Sequence, residues 1–239
     1  MIKRKAIGMA KSIVLFSGGI DSTTALYWAL ARPRAVQALT FDYGQRHRVE
    51  IRMATKLAGK IGVPQTILKI DLTQVGGSAL TDRASDLPRY KNLTQIPPGL
   101  PMTYVPFRNG ILLALAAAWG EPRRFTEIIC GFNIIDSPDY PDTRPEFVRA
   151  MEKAINAGTG AAFGRPRVKI LAPFVRMKKS EIIRKGMSLG ADYSYSVSCY
   201  AGKEVPCRTC SACLLRARAF AEACVRDPLL KRLKKEGKR

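Results

Sequence analysis

Ile13-Val14-Leu15-Phe16-Ser17-Gly18-Gly19-Ile20-Asp21-Ser22-Thr23-Thr24 decides how this chain folds. An apolar run ends in Ser-Gly-Gly, and Ala25-Leu26-Tyr27-Trp28-Ala29-Leu30 continues as a helix former. Two adjacent glycines lack Cβ obstruction and admit φ > 0. Backbone N–H groups can then converge on an anion at the positive end of the next helix. Such a nest suits a phosphate group. A Walker loop would read GxxxxGK[ST]. Acidic Asp21 stands in that region instead, which argues against a kinase- or GTPase-type loop.

Outward from this stretch, apolar runs and helical patterns alternate. Strands are expected over 12–16, 36–41, 66–70, 127–132 and 168–171, and helices over 22–30, 46–61, 109–119, 145–156 and 180–189. The alternation predicts an α/β fold with a doubly wound, mostly parallel sheet. Ligands bind such sheets beyond the carboxyl ends of the strands. Asp42, Asn133, Asp136 and the loop at Ser17 all follow strands in this reading, so they gather on one rim. Residues 76–106 are rich in Pro, Gly, Thr and Asp, the pattern of a functional lid or mobile loop. From Ser198 the composition shifts to clustered cysteines and a basic end. The expected organisation is a main domain over 1–197 and a small extension over 198–239 packed on it.

No apolar stretch is long enough for a membrane span, and no secretory leader is expected before the first strand. The chain reads as cytoplasmic. Its formal net charge is +21. That points toward polyanions, or toward a solvated basic surface whose tail runs from Lys231 to Arg239. Nucleic acid is thus a possible partner, though not a required one.

There are six cysteines. Cys130 sits in an apolar run and reads as a buried small hydrophobe; Cys224 is expected in a helix without a partner. Cys207, Cys210 and Cys213 form a Cys-x₂-Cys-x₂-Cys run, and Cys199 lies eight residues upstream. Four thiols so spaced suit one tetrahedral ion better than disulfides in a cytosolic chain. Zn²⁺ is preferred, with an iron–sulfur cluster as the competitor. A fully ligated Cys₄ zinc site is structural, with no open position.

SGGIDST at the end of the first strand resembles the pyrophosphate-binding loop of the PP-loop ATP pyrophosphatases, whose fold is adenine-nucleotide α-hydrolase-like. Further strings narrow the resemblance: FDYGQRHRVE (41–50), VPFRN (105–109), GFNIIDSPDYPDTRPEF (131–147), KKSEI (178–182) and SCY…CRTCSACLLRARAF (198–220). In order, over nearly the whole chain, they resemble the 7-cyano-7-deazaguanine synthase (QueC) family. The resemblance implies an ATP-dependent carbon–nitrogen ligase of deazapurine biosynthesis. It would take 7-carboxy-7-deazaguanine and ammonia through adenylated acid and amide intermediates to the nitrile, preQ0. It also implies a homodimer.

Carried over residue by residue, nucleotide binding falls on Phe16, Ser17, Gly18, Gly19, Ile20, Asp21, Ser22, Thr23, Thr24, Ala25 and Leu26. Asp21 is a candidate Mg²⁺ contact beside ATP phosphates. Asp21, Arg108 and Lys179 take the catalytic roles. The Arg fork suits phosphate or carboxylate, and Lys acts as a point charge. Arg108, Asn133, Asp136, Tyr140 and Asp142 form the expected substrate set, with Tyr140 or Phe107 as a stacking face. Turn chemistry is the plainer explanation of the SPDYPD string. His47, the single histidine, reads as structural or as a base for ammonium. Phe107, Thr143 and Arg208 depart from the family pattern, which has a small residue, often Cys, and Gly there; Phe107 could reshape the base pocket. With the high charge, these departures keep open a diverged PP-loop enzyme that adenylates and modifies RNA or another macromolecule.

Overall fold

The computed structural model describes residues 10–136 and 138–238. Five parallel strands form one sheet in the order β3-β2-β1-β4-β5: β1 Ala10–Leu15, β2 Arg34–Asp42, β3 Gln65–Lys69, β4 Glu127–Ile129 and β5 Lys169–Leu171. The helices are α1 Ile20–Leu30, α2 Val49–Lys60, α3 Arg108–Gly120, α4 Pro145–Ala157, α5 Lys179–Ser188, α6 Ser211–Glu222 and α7 Pro228–Lys235. The doubly wound α/β reading is therefore observed.

Parallel strands are covered on both faces, which is why the second half of β1, Ile13-Val14-Leu15, reads as an unbroken apolar run. Successive side chains serve opposite layers. Ile13 packs with Leu113 of α3 and Ile155 of α4, and Val14 packs with Leu26 of α1, Leu57 of α2 and Ile182 of α5. Ile13 is fully buried, so truncating it to Ala would cost about 2–5 kcal/mol. The buried polar residue of β1, Ser12, donates to Glu127 of β4, which also pairs with Arg34 of β2 at 2.7 Å.

The chain steps outward from β1 to β3, then crosses back to place β4 on the other side of β1. A crevice opens beyond the carboxyl ends of β1 and β4, where the strand order reverses. Gly131 makes the crevice narrow: a Cβ there would stand 2.6 Å from the backbone carbon of Asp21.

Element ends differ from the sequence pattern where side chains intervene. Helix α2 starts at Val49 rather than 46, because the turn before it is held differently. Gln45 accepts from the Tyr43 N–H at 2.7 Å and donates to the Phe41 carbonyl at 3.1 Å, while Arg46 reaches the Ala79 carbonyl at 3.2 Å. Cys224, expected in a helix, lies past the end of α6 at φ 56° and is exposed. The stretch expected as a lid or mobile loop is pinned at its ends and middle. Ala79 N–H donates to the Met102 carbonyl at 2.8 Å, and Tyr90 N–H donates to the Thr209 carbonyl at 2.7 Å.

The cysteine segment packs on α2. Val49 and Met53 share a core with Val197, Cys199, Cys210, Cys213, Leu229 and Leu233. Much of the basic tail is helix α7. Its apolar side enters that core, and its Arg232 pairs with Glu204 at 2.7 Å and Glu236 at 2.9 Å. No helix among the described residues is long and apolar enough to cross a membrane.

Candidate active site at the strand-order reversal

A cavity of about 320 Å³ fills the crevice. At one end lies the Ser-Gly-Gly turn. Gly18 has φ 82°, a conformation that side chains resist. Ser17 Oγ accepts from the Gly19 N–H at 3.3 Å and lies 3.1 Å from Ser22 Oγ. Helix α1 starts immediately after, so its first N–H groups lack intrahelical acceptors and face an anion site. Lys179, the first residue of α5, sets its Nζ 2.7 Å from Asp21 Oδ2. Asp21 Oδ1 is buried without a hydrogen-bond partner. An unsatisfied buried carboxylate oxygen beside a phosphate-type nest fits a divalent cation held together with phosphate.

The other end is an aromatic chamber. Arg108 Nη1 donates to Tyr43 Oη at 3.1 Å, with the guanidinium over the Tyr43 ring. Burial, the largest influence, works against the Arg108 charge, but Tyr43, Tyr200 and Asp142 together outweigh it and hold the guanidinium above its ordinary value. Burial pushes the Tyr43 and Tyr200 hydroxyls up, so both remain neutral hydrogen-bond donors at neutral pH. Tyr140 Oη lies 3.2 Å from Thr103 Oγ1. Ala212, Leu215 and Arg216 of α6 close the chamber from the cysteine side. Arg216 is itself locked by a two-pronged pair with Asp227, at 2.6 and 2.8 Å.

The predicted residues divide by what they touch. Phe16, Ser17, Gly19, Ile20, Asp21 and Ser22 line the cavity, as do Arg108, Asn133, Tyr140 and Lys179. Thr23, Thr24, Ala25 and Leu26 turn into the interior, and Gly18 shapes the turn from behind. Asp136 and Asp142 lie off the cavity wall. Asp136 accepts from the Lys179 N–H at the start of α5 and pairs with Arg218 at 2.6 Å. Asp142 accepts from the Asn109 N–H at the start of α3, at 2.9 Å. Both carboxylates thus sit at the positive end of a helix that carries a cavity-facing cation.

Phe107 does not stack in the chamber. It is 52% exposed at φ 50°, and its ring meets Phe147 edge-on at 5.9 Å. Gly110 makes room for the ring, since a Cβ there would fall 2.4 Å from it. His47 lies outside the cavity wall, 3.4 Å from Glu50 and against the Tyr200 ring. Cys130 is buried as expected, and it also lines the cavity. Tyr43, Glu50, Thr103, Ser198, Tyr200 and Arg216 were not singled out by the sequence patterns. Tyr43 and Glu50 fall within the quoted FDYGQRHRVE string, which marked the segment without saying which side chains face inward.

The four clustered cysteines meet. Their sulfurs all lie within 4.8 Å of one another, and Cys207 and Cys213 are 3.9 Å apart. Backbone N–H groups of Cys207 and Cys210 donate to the sulfurs of Cys199 and Cys207 at 3.3 Å each. Bonds from the Cys210 and Cys213 thiols hold Cys199 well below the usual thiol range, and the same sharing pushes Cys213 up. Four sulfurs so close share protons unless a cation replaces them, so the set fits a metal. Arg208, where the family pattern has Gly, adopts φ 64° in the turn between Cys207 and Cys210.

A family model described as "Queuosine biosynthesis protein QueC" matches residues 11–224. The curated 7-cyano-7-deazaguanine synthase of Nostoc punctiforme is 42% identical over 221 residues, 92% of this chain and 99% of that protein. The synthase of that name from Thermoplasma acidophilum is 45% identical over 219 residues, 92% and 91% of the two chains. A solved structure described as a predicted subunit of tRNA methyltransferase, from Methanocaldococcus jannaschii, aligns at TM-score 0.50 and 14% identity over 75% of each chain. That likeness concerns the fold alone.

Proposed function

The chain belongs to the QueC family, and we propose that it is an ATP-dependent carbon–nitrogen ligase converting 7-carboxy-7-deazaguanine and ammonia to 7-cyano-7-deazaguanine. One observation carries the reading: a single cavity joins a phosphate nest to an aromatic chamber fronted by Arg108. ATP phosphates would lie on Ser17, Gly19 and Ser22, and the flat deazapurine would lie among Tyr43, Tyr140 and Tyr200. Its carboxylate would then face both Arg108 and the α-phosphate.

Carboxylate oxygen is a poor leaving group, and adenylation turns it into AMP. Ammonia displaces AMP to give the amide. A second adenylation, on the amide oxygen, lets AMP leave as the nitrile forms. The protein supplies no covalent nucleophile in this scheme. It positions the reactants and stabilises developing charge. Lys179 and the α1 N-terminus would oppose the negative charge of the departing pyrophosphate. Asn133, held by the Met177 carbonyl, presents its amide at the wall. Mg²⁺, when bound at Asp21, would neutralise phosphate charge.

Zn²⁺ is the ion proposed for Cys199, Cys207, Cys210 and Cys213. Tetrahedral bonds of about 2.3 Å set sulfurs about 3.8 Å apart, close to the Cys207–Cys213 separation. Its role would be structural. A main domain over 1–197 with an extension over 198–239, and assembly as a homodimer, belong to the same proposal.

The test is turnover of the free acid with ammonium, ATP and Mg²⁺, followed by mass spectrometry. Nitrile and two AMP per acid are expected. A metal-replete, folded protein that consumes no ATP with this acid would overturn the reading.

A further inference from the structure

The cavity wall holds two carboxylates, Asp21 and Glu50. Asp21 lies at the phosphate end and is paired with Lys179. Glu50, in the first turn of α2, faces the aromatic end. Its Oε1 accepts from Gln45 Nε2 at 3.1 Å and lies 3.4 Å from His47 Nε2. Its Oε2 makes no hydrogen bond among the described residues. Its charge also reaches Tyr43: burial raises that hydroxyl against the pull of Arg108, and Glu50 adds to the rise.

The ligase reading requires a base. Ammonia is mostly ammonium at neutral pH, and the ion has no lone pair with which to attack. The other ionisable groups on the wall are poorly placed to help. Arg108, Lys179 and Arg216 are cations. Tyr43, Tyr200 and Cys130 are buried, and burial keeps them protonated; Tyr140 is a phenol whose hydroxyl is engaged by Thr103 at 3.2 Å. His47 does not reach the wall. Glu50 remains, and the neighbouring Tyr43 and Tyr200 rings offer faces that suit a cation.

We propose that Glu50 binds the ammonium ion and accepts its proton, with Gln45 and His47 as positioning residues that hold its carboxylate. The inference rests on the ligase reading. Ammonium gives a proton to the Glu50 carboxylate, and the freed nitrogen lone pair forms the C–N bond at the acyl carbon. The C–O bond to phosphate then breaks, and AMP leaves with that electron pair. The new C–N⁺ centre sheds a proton to solvent, leaving a neutral amide. Glu50, Tyr43 and Arg108 line the same cavity and Tyr43 touches Arg108, so the nucleophile would arrive on the side of the activated carbonyl.

The experiment separates adenylation from nitrogen transfer. Adenylation needs no ammonia and is read by acid-dependent exchange of labelled pyrophosphate into ATP. Hydroxylamine is uncharged at neutral pH and traps the acyl-adenylate without a base. Glu50→Gln is expected to lower ammonia-dependent amide formation on the order of 10²-fold. Exchange and hydroxamate formation should stay within a few-fold of the unmodified protein. Glu50→Asp keeps the charge and should recover much of the ammonia step. Equal losses with ammonia and hydroxylamine in Glu50→Gln would overturn the base. If Glu50→Gln does not fold, Glu50→Asp carries the test, and equal losses with ammonia and hydroxylamine in that variant would overturn the base too. An unmodified protein with no acid-dependent exchange would instead bring down the ligase reading, and this inference with it.

Discussion

At the phosphate end of the cavity, Ser17, Gly19, Ile20, Asp21 and Ser22 come from one short segment whose turn is shaped by Gly18, and Lys179 joins them from α5. At the aromatic end, Tyr43, Arg108, Tyr140 and Tyr200 arrive from separate segments, and the last stands next to a cysteine of the metal-type cluster. A contiguous site depends on local φ/ψ and on one helix start. A composite site depends on every packing contact that brings its segments together. The two ends should therefore fail differently.

The largest effect is expected at the contiguous end. Asp21→Ala removes the carboxylate facing the nest and frees Lys179. Turnover should fall by at least about 10²–10³-fold, with the thermal midpoint little changed. Activity retained in a folded variant would remove Asp21 from the phosphate chemistry.

Next comes the support of the composite end. Cys210→Ser should lower bound metal and stability together. A loss of several kcal/mol would lower the midpoint by on the order of 10 °C, at about 2–4 °C per kcal/mol for a chain this size. Activity should fall as well, because Ala212, Leu215 and Arg216 follow Cys210 on α6 and wall the chamber. Metal analysis, a melting curve and turnover on one preparation would check it. Unchanged metal content would exclude Cys210 as a ligand.

Arg108→Lys tests the composite end alone. Losing the planar fork costs about 1.5–3 kcal/mol, roughly 10- to 100-fold in KM for the acid. KM for ATP should hold. A parallel rise in both constants would mean the two ends are not separable.

The smallest effect is expected at Phe107. Its ring packs outside the chamber, and its positive φ favours glycine. Phe107→Gly should leave KM for the acid within about two-fold, as for surface changes elsewhere. A larger shift would place the ring in the pocket after all.

Which features were legible in the sequence follows the same division. The strands were readable because parallel strands buried on both faces are continuous apolar runs, as at Ile13-Val14-Leu15. The nest was readable because glycines, hydroxyls and a helix start lie in one string. The cysteine cluster was readable because its ligands are close in sequence. The facing of the chamber was not. Asp136 and Asp142 looked like base readers, yet each accepts a backbone N–H at the start of a helix fixed by remote packing. Phe107 looked like a stacking face, yet Gly110 and Phe147 draw it outward. Glu50 sat inside a quoted string without distinction, because one acid in a helix's first turn is ordinary.

By itself the sequence determined the α/β class, the Ser-Gly-Gly turn before the first helix, the four-cysteine set and the family, since each depends on neighbours along the chain or on a pattern spread over it. Tertiary structure alone decided which side chains share the cavity and which hold helices in place. Residues such as Glu50, Arg108 and Tyr200 meet only after the sheet is wound and the cysteine segment has packed against α2. Their contacts come from the relative placement of elements, which no local spacing encodes.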